Sequence, residues 1–175
     1  MTDVERFYAD HRDGVFRYLR RIVGAPEAAR DLTQEVFLRV SRAGMPDASD
    51  LGRRAWVFRI ARNLALNHIR DGRRRPATVA LGNPVTPATQ ELGVALRQAI
   101  AALPDLDRDI FELRETAGLS YDEIAAACEI DVEAVRSRLH RARQALRVTL
   151  GRSLQLSEQR GVRCTGAGRE VREDR

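Results

Sequence analysis

The chain has 175 residues, of which 43% are hydrophobic but only 5% aromatic, and a formal net charge of +5. That is enough apolar material for one domain, or two small ones, with a largely aliphatic core. No apolar run approaches the ~18 residues of a membrane span and the N-terminal MTDVERFYADHR has no secretory apolar block, so a cytoplasmic chain is expected.

All thirty basic residues are arginine. The planar guanidinium suits phosphate, although GC-rich coding bias is the larger cause of such a composition. The position of charge says more. Residues 53–75 hold eight arginines and one acid, a net +7, and 132–150 hold five arginines and one acid, a net +4. Residues 93–131, by contrast, hold three arginines and nine acids, a net −6. Two separated basic blocks are what two contact sites on one polyanion require.

In chain order, Thr2 with Glu5 offers a capping box, and Val15, Phe16, Tyr18, Leu19, Ile22 and Val23 recur at helical spacing up to Gly24. Pro26 suits the first turn of a second helix, in which Leu32, Val36, Phe37 and Val40 face inward. Asp31, Gln34 and Glu35 share its other side. Such residues are usually solvated surface; as a functional group they form an acidic face for a basic or polar partner helix.

Gly44 to Asp47 break the pattern, and Ser49 or Asp50 can begin a third helix. At about 100° per residue, Val57, Phe58, Ile60, Ala61, Leu64, Ala65 and Ile69 occupy one half of its circumference. Trp56, Arg59, Arg62, Asn63, Asn67 and Arg70 occupy the other half, with Leu66 as the apolar intruder. Arginines take phosphate, while amides and flat rings read or stack on bases, so this face suits nucleic acid. Trp56 serves equally well as a core anchor at the helix start. Arg73 to Arg75 extend the basic strip.

From 76 to 92 there is no arginine, and prolines stand at 76, 84 and 87, which predicts a semi-flexible linker. Helical spacing returns with Val94, Leu96, Ile100 and Leu103, breaks at Pro104, and resumes through Ile110, Phe111 and Leu113 to a turn at Gly118. No strand pattern occurs. The expected architecture is therefore all-α: two small helical domains, 1–75 and 93–150, joined by the 76–92 linker. Residues 151–175, rich in Gly, Arg and Glu, are expected to be a disordered tail.

The segment from Ser120 to Leu150 organises the second domain. Ser120 and Glu123 form a capping box, Glu129 to Asp131 make a short break, and Asp131 can cap the helix that follows. Two helices joined this tightly are a helix-turn-helix. Val132, Val135, Leu139, Ala142, Leu146 and Leu150 lie on one stripe of the second helix. Arg136, Ser137, His140, Arg141 and Gln144 lie opposite, suited to phosphates and base edges. An ordinary amphipathic helix with a solvated basic face would carry the same charge run; the capped first helix and tight turn favour DNA.

No site for catalysis emerges. His11, His68 and His140 fall on separate helices, no paired carboxylates have metal-site context, and no Gly-rich phosphate loop occurs. Cys128 and Cys164 lie far apart without histidines at ligand spacing, which argues against structural zinc. No cofactor, metal or small-molecule substrate is expected.

Four segments, DLTQEVFLRV at 31–40, WVFRIARNLALNHIR at 56–70, GLSYDEIAAAC at 118–128 and VRSRLHRARQAL at 135–146, resemble extracytoplasmic-function (ECF) RNA polymerase sigma factors. The resemblance spans about residues 4–150 in the family's order. It implies region 2 at 1–75, region 4 at 93–150, and core RNA polymerase and promoter DNA as partners. By position it places Asp31, Gln34 and Glu35 against the polymerase. Asn63, Arg59 and the 46–54 loop match the part that captures minus-10 bases, on the face with Trp56, Arg62, Asn67 and Arg70. Arg136, Ser137 and Arg141, beside His140 and Gln144, match the part that enters the minus-35 major groove. Glu133-Ala134 stand where many relatives have Gly-Thr, and Asn67 where many have Asp. An anti-sigma partner is usual for the family, though nothing in the sequence identifies one, nor the promoters or the inducing signal. The competing reading is a stand-alone helix-turn-helix regulator, which would bind its operator tightly without polymerase.

Overall fold

The computed structural model describes residues 3–72 and 87–165, with side chains for 4–72 and 93–151. Among the described residues seven helices follow one another: α1 Asp3–Val23, α2 Pro26–Ala43, α3 Asp50–Gly72, α4 Pro87–Ala101, α5 Asp105–Glu115, α6 Tyr121–Cys128 and α7 Val132–Thr165. Among the described residues there is no strand.

Local chemistry sets most boundaries. Gly24 (φ 78°) ends α1 with its amide donating to the Arg20 carbonyl at 3.0 Å, in a left-handed conformation that glycine adopts without a Cβ clash. Pro26 opens α2, where its missing N–H costs nothing. The Ser49 hydroxyl accepts from the Gly52 amide at 3.2 Å and so caps α3. Ser120 and Glu123 form the reciprocal capping box: the Glu123 amide donates to Ser120 Oγ at 3.2 Å, and the Ser120 amide to Glu123 Oε2 at 2.6 Å. Asp131 caps α7 by accepting from the Ala134 amide at 2.6 Å. Thr2 lies outside the described residues.

The helices group into two compact units, Met1–Gly82 with Pro104–Arg141, and Asn83–Leu103 with Ala142–Arg175. In the first, one core joins Val15, Tyr18 and Leu19 of α1, Val36 and Val40 of α2, and Val57, Phe58 and Ala61 of α3. It continues through Ile110 and Leu113 of α5, Leu119, Ile124 and Cys128, and Val135 and Leu139 of α7. The Tyr18 ring meets Phe58 edge-on, with centroids 5.9 Å apart, a geometry favoured by the ring quadrupoles. Burial pushes the Cys128 thiol up to about 12, so it is a neutral core residue. In the second unit Ala99, Leu103, Ala142 and Leu146 are buried.

This grouping differs from a division at the linker, because α5, α6 and the start of α7 pack with α1 to α3. Apolar continuity supplies one reason. The other is charge: the acidic 93–131 segment contributes the carboxylates that meet the α3 arginines.

Two expected boundaries move. Within the span 76–92, α4 begins at Pro87, which stands in a first turn where proline starts a helix rather than interrupting one; the rest of that span, 76–86, lies outside the described residues, as do Arg73 to Arg75. The tail was expected to be disordered from 151, but α7 runs on to Thr165. Residues 152–160 are RSLQLSEQR, mostly good helix formers without proline, and local propensity there outweighs the scarcity of apolar residues. Residues 166–175 lie outside the described set.

Candidate nucleic-acid interface

α7 divides its residues by face. Val135, Leu139, Ala142 and Leu146 are buried, with Val132 and Leu150 partly so, while Arg136, Ser137, His140, Arg141 and Gln144 are all exposed. Glu133, Arg136, Ser137, His140 and Arg141 line a shallow open hollow along the helix. Glu133 Oε2 accepts from Arg136 Nη1 at 3.1 Å within it, an exposed pair one turn apart that holds the guanidinium loosely. The helix is held from behind by an acid outside it. Asp107, buried on α5, accepts from Arg138 at 2.7 Å and stands 3.7 Å from Arg141. The sequence pattern does not disclose Asp107, because a carboxylate in the first turn of α5 reads as a favourable dipole contact and nothing more.

On α3, the structure separates residues that the helical wheel placed together. Asn63, Asn67 and Arg70 are exposed, and Trp56 is half-buried against the core, the anchor role its position also allowed. Arg59 and Arg62 turn towards acids from the C-terminal half. Arg59 pairs with Glu129 at 3.4 Å, and Arg62 Nε donates to Asp109 Oδ2 at 2.5 Å. Burial works against the Arg62 charge, but Asp109 outweighs it and raises the guanidinium pKa, so Arg62 stays protonated. The other Asp109 oxygen accepts from Tyr18 Oη at 2.5 Å, and burial together with that carboxylate keeps the phenol neutral far above its ordinary range.

Arg54 of α3 is occupied in the same way. Its Nη1 lies 3.3 Å from both oxygens of Glu123, and its Nη2 donates to the Ala117 carbonyl at 2.6 Å, near the C-terminal end of α5. Glu123 is therefore both half of a capping box and the buried partner of a cation 69 residues away. These acids were the main omission of sequence reasoning. The opposite net charges of 53–75 and 93–131 are the signal that could have found them.

On α2, Asp31 and Gln34 are exposed, and Glu35 is partly so, receiving Arg39 Nε at 2.7 Å. Leu38 completes the same stripe at i+7 from Asp31 and leaves 49% of its surface open. An exposed leucine on one stripe with two acids and an amide has the composition of a docking patch, apolar and polar groups side by side. Leu38 falls outside the inward stripe of Leu32, Val36, Phe37 and Val40, and the sequence pattern gives no sign that it is exposed.

Among the described residues no group of His, Cys, Asp and Glu could hold a metal ion, and no helix is long and apolar enough to cross a membrane.

Comparison with known proteins adds sequence relationships to this geometry. The profile of Sigma-70 region 2 matches residues 7–75, and that of Sigma-70, region 4 matches residues 93–146. The ECF RNA polymerase sigma factor SigE of Mycolicibacterium smegmatis is 34% identical over 158 residues, covering 84% of this chain; the chain spans only 61% of that relative's length. The ECF RNA polymerase sigma-E factor of Escherichia coli is 37% identical over 134 residues, covering 66% of this chain and 70% of that one. Among solved structures, the sigma factor RpoE in complex with the anti-sigma factor NepR from Bartonella quintana superposes with a TM-score of 0.69, covering 86% of this chain and 98% of that one. At 21% identity, it speaks for the fold.

Proposed function

Because the chain belongs to the ECF group of sigma-70-type RNA polymerase sigma factors, we propose that it recruits core polymerase through one face and grips promoter DNA through two others. The polymerase face is the α2 stripe of Asp31, Gln34, Glu35 and Leu38. The upstream, minus-35 face is Arg136, Ser137, His140, Arg141 and Gln144 of α7. The downstream, minus-10 face lies on α3, where Asn63, Asn67 and Arg70, with Arg59, Arg62 and Trp56, hold bases released by strand opening. In this reading 1–75 is the polymerase and minus-10 module and 93–150 the minus-35 module.

The observation that carries this reading is the outward row on α7. Five donors and acceptors stand together on one exposed face of a helix that is capped by Asp131 and anchored from behind by Val135, Leu139 and the Arg138–Asp107 pair. A helix presented in this way enters a major groove, its polar side chains meeting base edges and phosphates. Each DNA contact alone is modest. Anchoring both on one polymerase raises the effective concentration of the second once the first is made. The chain works in the cytoplasm beside the polymerase, which does the bond-making, and an anti-sigma factor is a fitting regulator. A stand-alone regulator would leave the region 2 match over 7–75 without a role.

The test is run-off transcription with purified core polymerase and genomic fragments, followed by mapping of start sites. Discrete new start sites that share upstream and downstream elements are expected. A chain that neither associates with core polymerase nor redirects it would overturn the reading.

A further inference from the structure

We propose that Glu133, in the middle of the outward face of α7, is a specificity-determining residue that makes this chain demand a cytosine within the minus-35 element. This rests on the reading of α7 as the minus-35 contact. At about 100° per residue, Glu133 points within about 60° of Arg136, Ser137 and His140, so it belongs to the row that meets the groove. With those three and Arg141 it lines one hollow, and its side chain is 75% exposed. The helix does not need it as a cap, because Asp131 already accepts from the Ala134 amide. An acid in the first turn gains from the helix dipole on any side of the helix; the outward side alone brings it to DNA.

A carboxylate pressed against a duplex is repelled by the phosphates and by the acceptor atoms of guanine and thymine. Hydrogen-bond donors on the major-groove edge come from two bases, as the N4 amine of cytosine and the N6 amine of adenine. Adenine sets the acceptor N7 beside its amine, where it would face the carboxylate. Cytosine offers its amine without that neighbour, and so is the base from which Glu133 accepts.

Arg136 narrows the match to one base pair. Its Nη1 lies 3.1 Å from Glu133 Oε2, a donor and an acceptor side by side. In a G·C pair guanine O6 and cytosine N4 stand about 2.9 Å apart as hydrogen-bonded partners, an acceptor and a donor side by side. The two side chains can be laid on that edge together, the guanidinium on guanine and the carboxylate on cytosine. A T·A pair in the same orientation withdraws the guanine N7 from the arginine and sets adenine N7 against the carboxylate. The exposed ion pair contributes little by itself, so turning it onto a base pair costs little.

The test is run-off transcription by core polymerase carrying the full chain, on a mapped promoter whose minus-35 positions are each changed in turn to all four base pairs. Wild type, Glu133→Ala and Glu133→Gln are compared. Both substitutions keep a good helix former at an exposed position, so the helix stays seated. For wild type, one G·C pair is expected to exceed every other base pair at its position by about tenfold. Glu133→Ala should shrink that ratio to about threefold, with output from mismatched templates rising because the repelling carboxylate is gone. Glu133→Gln should move the preference at that position towards adenine, which a carboxamide matches through N6 and N7.

Base preferences of Glu133→Ala that equal wild type at every position overturn the proposal. An even loss of output across all templates also overturns it, because Glu133 then supports the helix without reading a base. If scrambling the whole minus-35 element leaves wild-type output unchanged, the reading of α7 itself fails and takes the proposal with it.

Discussion

Arg62 and Asp109 stand 2.5 Å apart across 47 positions of sequence, with the Tyr18 hydroxyl on the second carboxylate oxygen. Both members of the pair are largely removed from water, at 18% and 5% side-chain exposure, so each depends on the other. Asp109→Ala should destabilise the chain by about 3 kcal/mol, because it leaves a half-buried guanidinium and a buried phenol without their acceptor. Tyr18→Phe, which removes only the hydroxyl, should cost about 1 kcal/mol. Urea denaturation followed by circular dichroism checks both; equal costs would mean that Arg62 finds another partner.

Glu129 is the one non-glycine residue with positive φ among the described residues, at 57°, and it closes α6 before the turn of the helix-turn-helix. A side chain there costs about 1 kcal/mol relative to glycine, while its exposed pair with Arg59 returns only a few tenths. Glu129→Gly should therefore raise the thermal midpoint, by a few degrees for a domain of this size. Scanning calorimetry reads the shift, and a lower midpoint would show that the pair outweighs the strain.

His11 sits half-buried, its ring edge-on to Phe7 at 4.2 Å. Burial first, and then the Arg54 charge, lower its pKa below the ordinary 6.5. The folded chain thus prefers the neutral imidazole. The stability this contributes is fully present above pH 6.5 and is lost as the pH falls through the lower folded value, because the unfolded chain takes up the proton first. His11→Gln should flatten the stability loss on the acid side of pH 6.5 relative to wild type. Denaturation midpoints measured from pH 7.5 down to pH 5 test this, and parallel slopes for the two proteins would refute it.

On α7, Arg136→Ala or Arg141→Ala should weaken use of a promoter dependent on its upstream element by about 1–3 kcal/mol, without unfolding the chain, since both side chains are exposed. Arg138→Ala should act differently. It removes the partner of buried Asp107, so thermal stability should fall along with transcription. Run-off transcription beside melting curves separates the two kinds of loss; identical melting changes for Arg136 and Arg138 would contradict the division of faces.

Much of this molecule was legible from local pattern. The capping box at Ser120, the Asp131 cap, the Gly24 stop and the buried stripe of α7 all depend on residues within one or two turns of each other, where periodicity and hydrogen-bonding chemistry act directly. The partners of Arg54, Arg59 and Arg62 were not legible. A helical wheel reports which side of a helix a residue occupies, not what a segment 47 to 70 positions away brings to that side. Leu38 illustrates a subtler limit: helical periodicity places it on α2 but does not say that about half of its surface stays open among the described residues. The α7 extension past Gly151 shows composition misleading in the other direction, since a segment poor in apolar residues can still hold helical backbone when a long helix has already nucleated before it.

The split personality of α7 has an evolutionary corollary. Apart from Arg141, which is exposed but stands 3.7 Å from Asp107, its anchoring set, Val135, Arg138 and Leu139, and its outward set, Arg136, Ser137, His140 and Gln144, share no member. A duplicated copy of such a chain can drift to new binding sequences through a handful of outward codons without touching what keeps the helix seated. The architecture thereby lets a lineage multiply its promoter vocabulary while conserving a single scaffold.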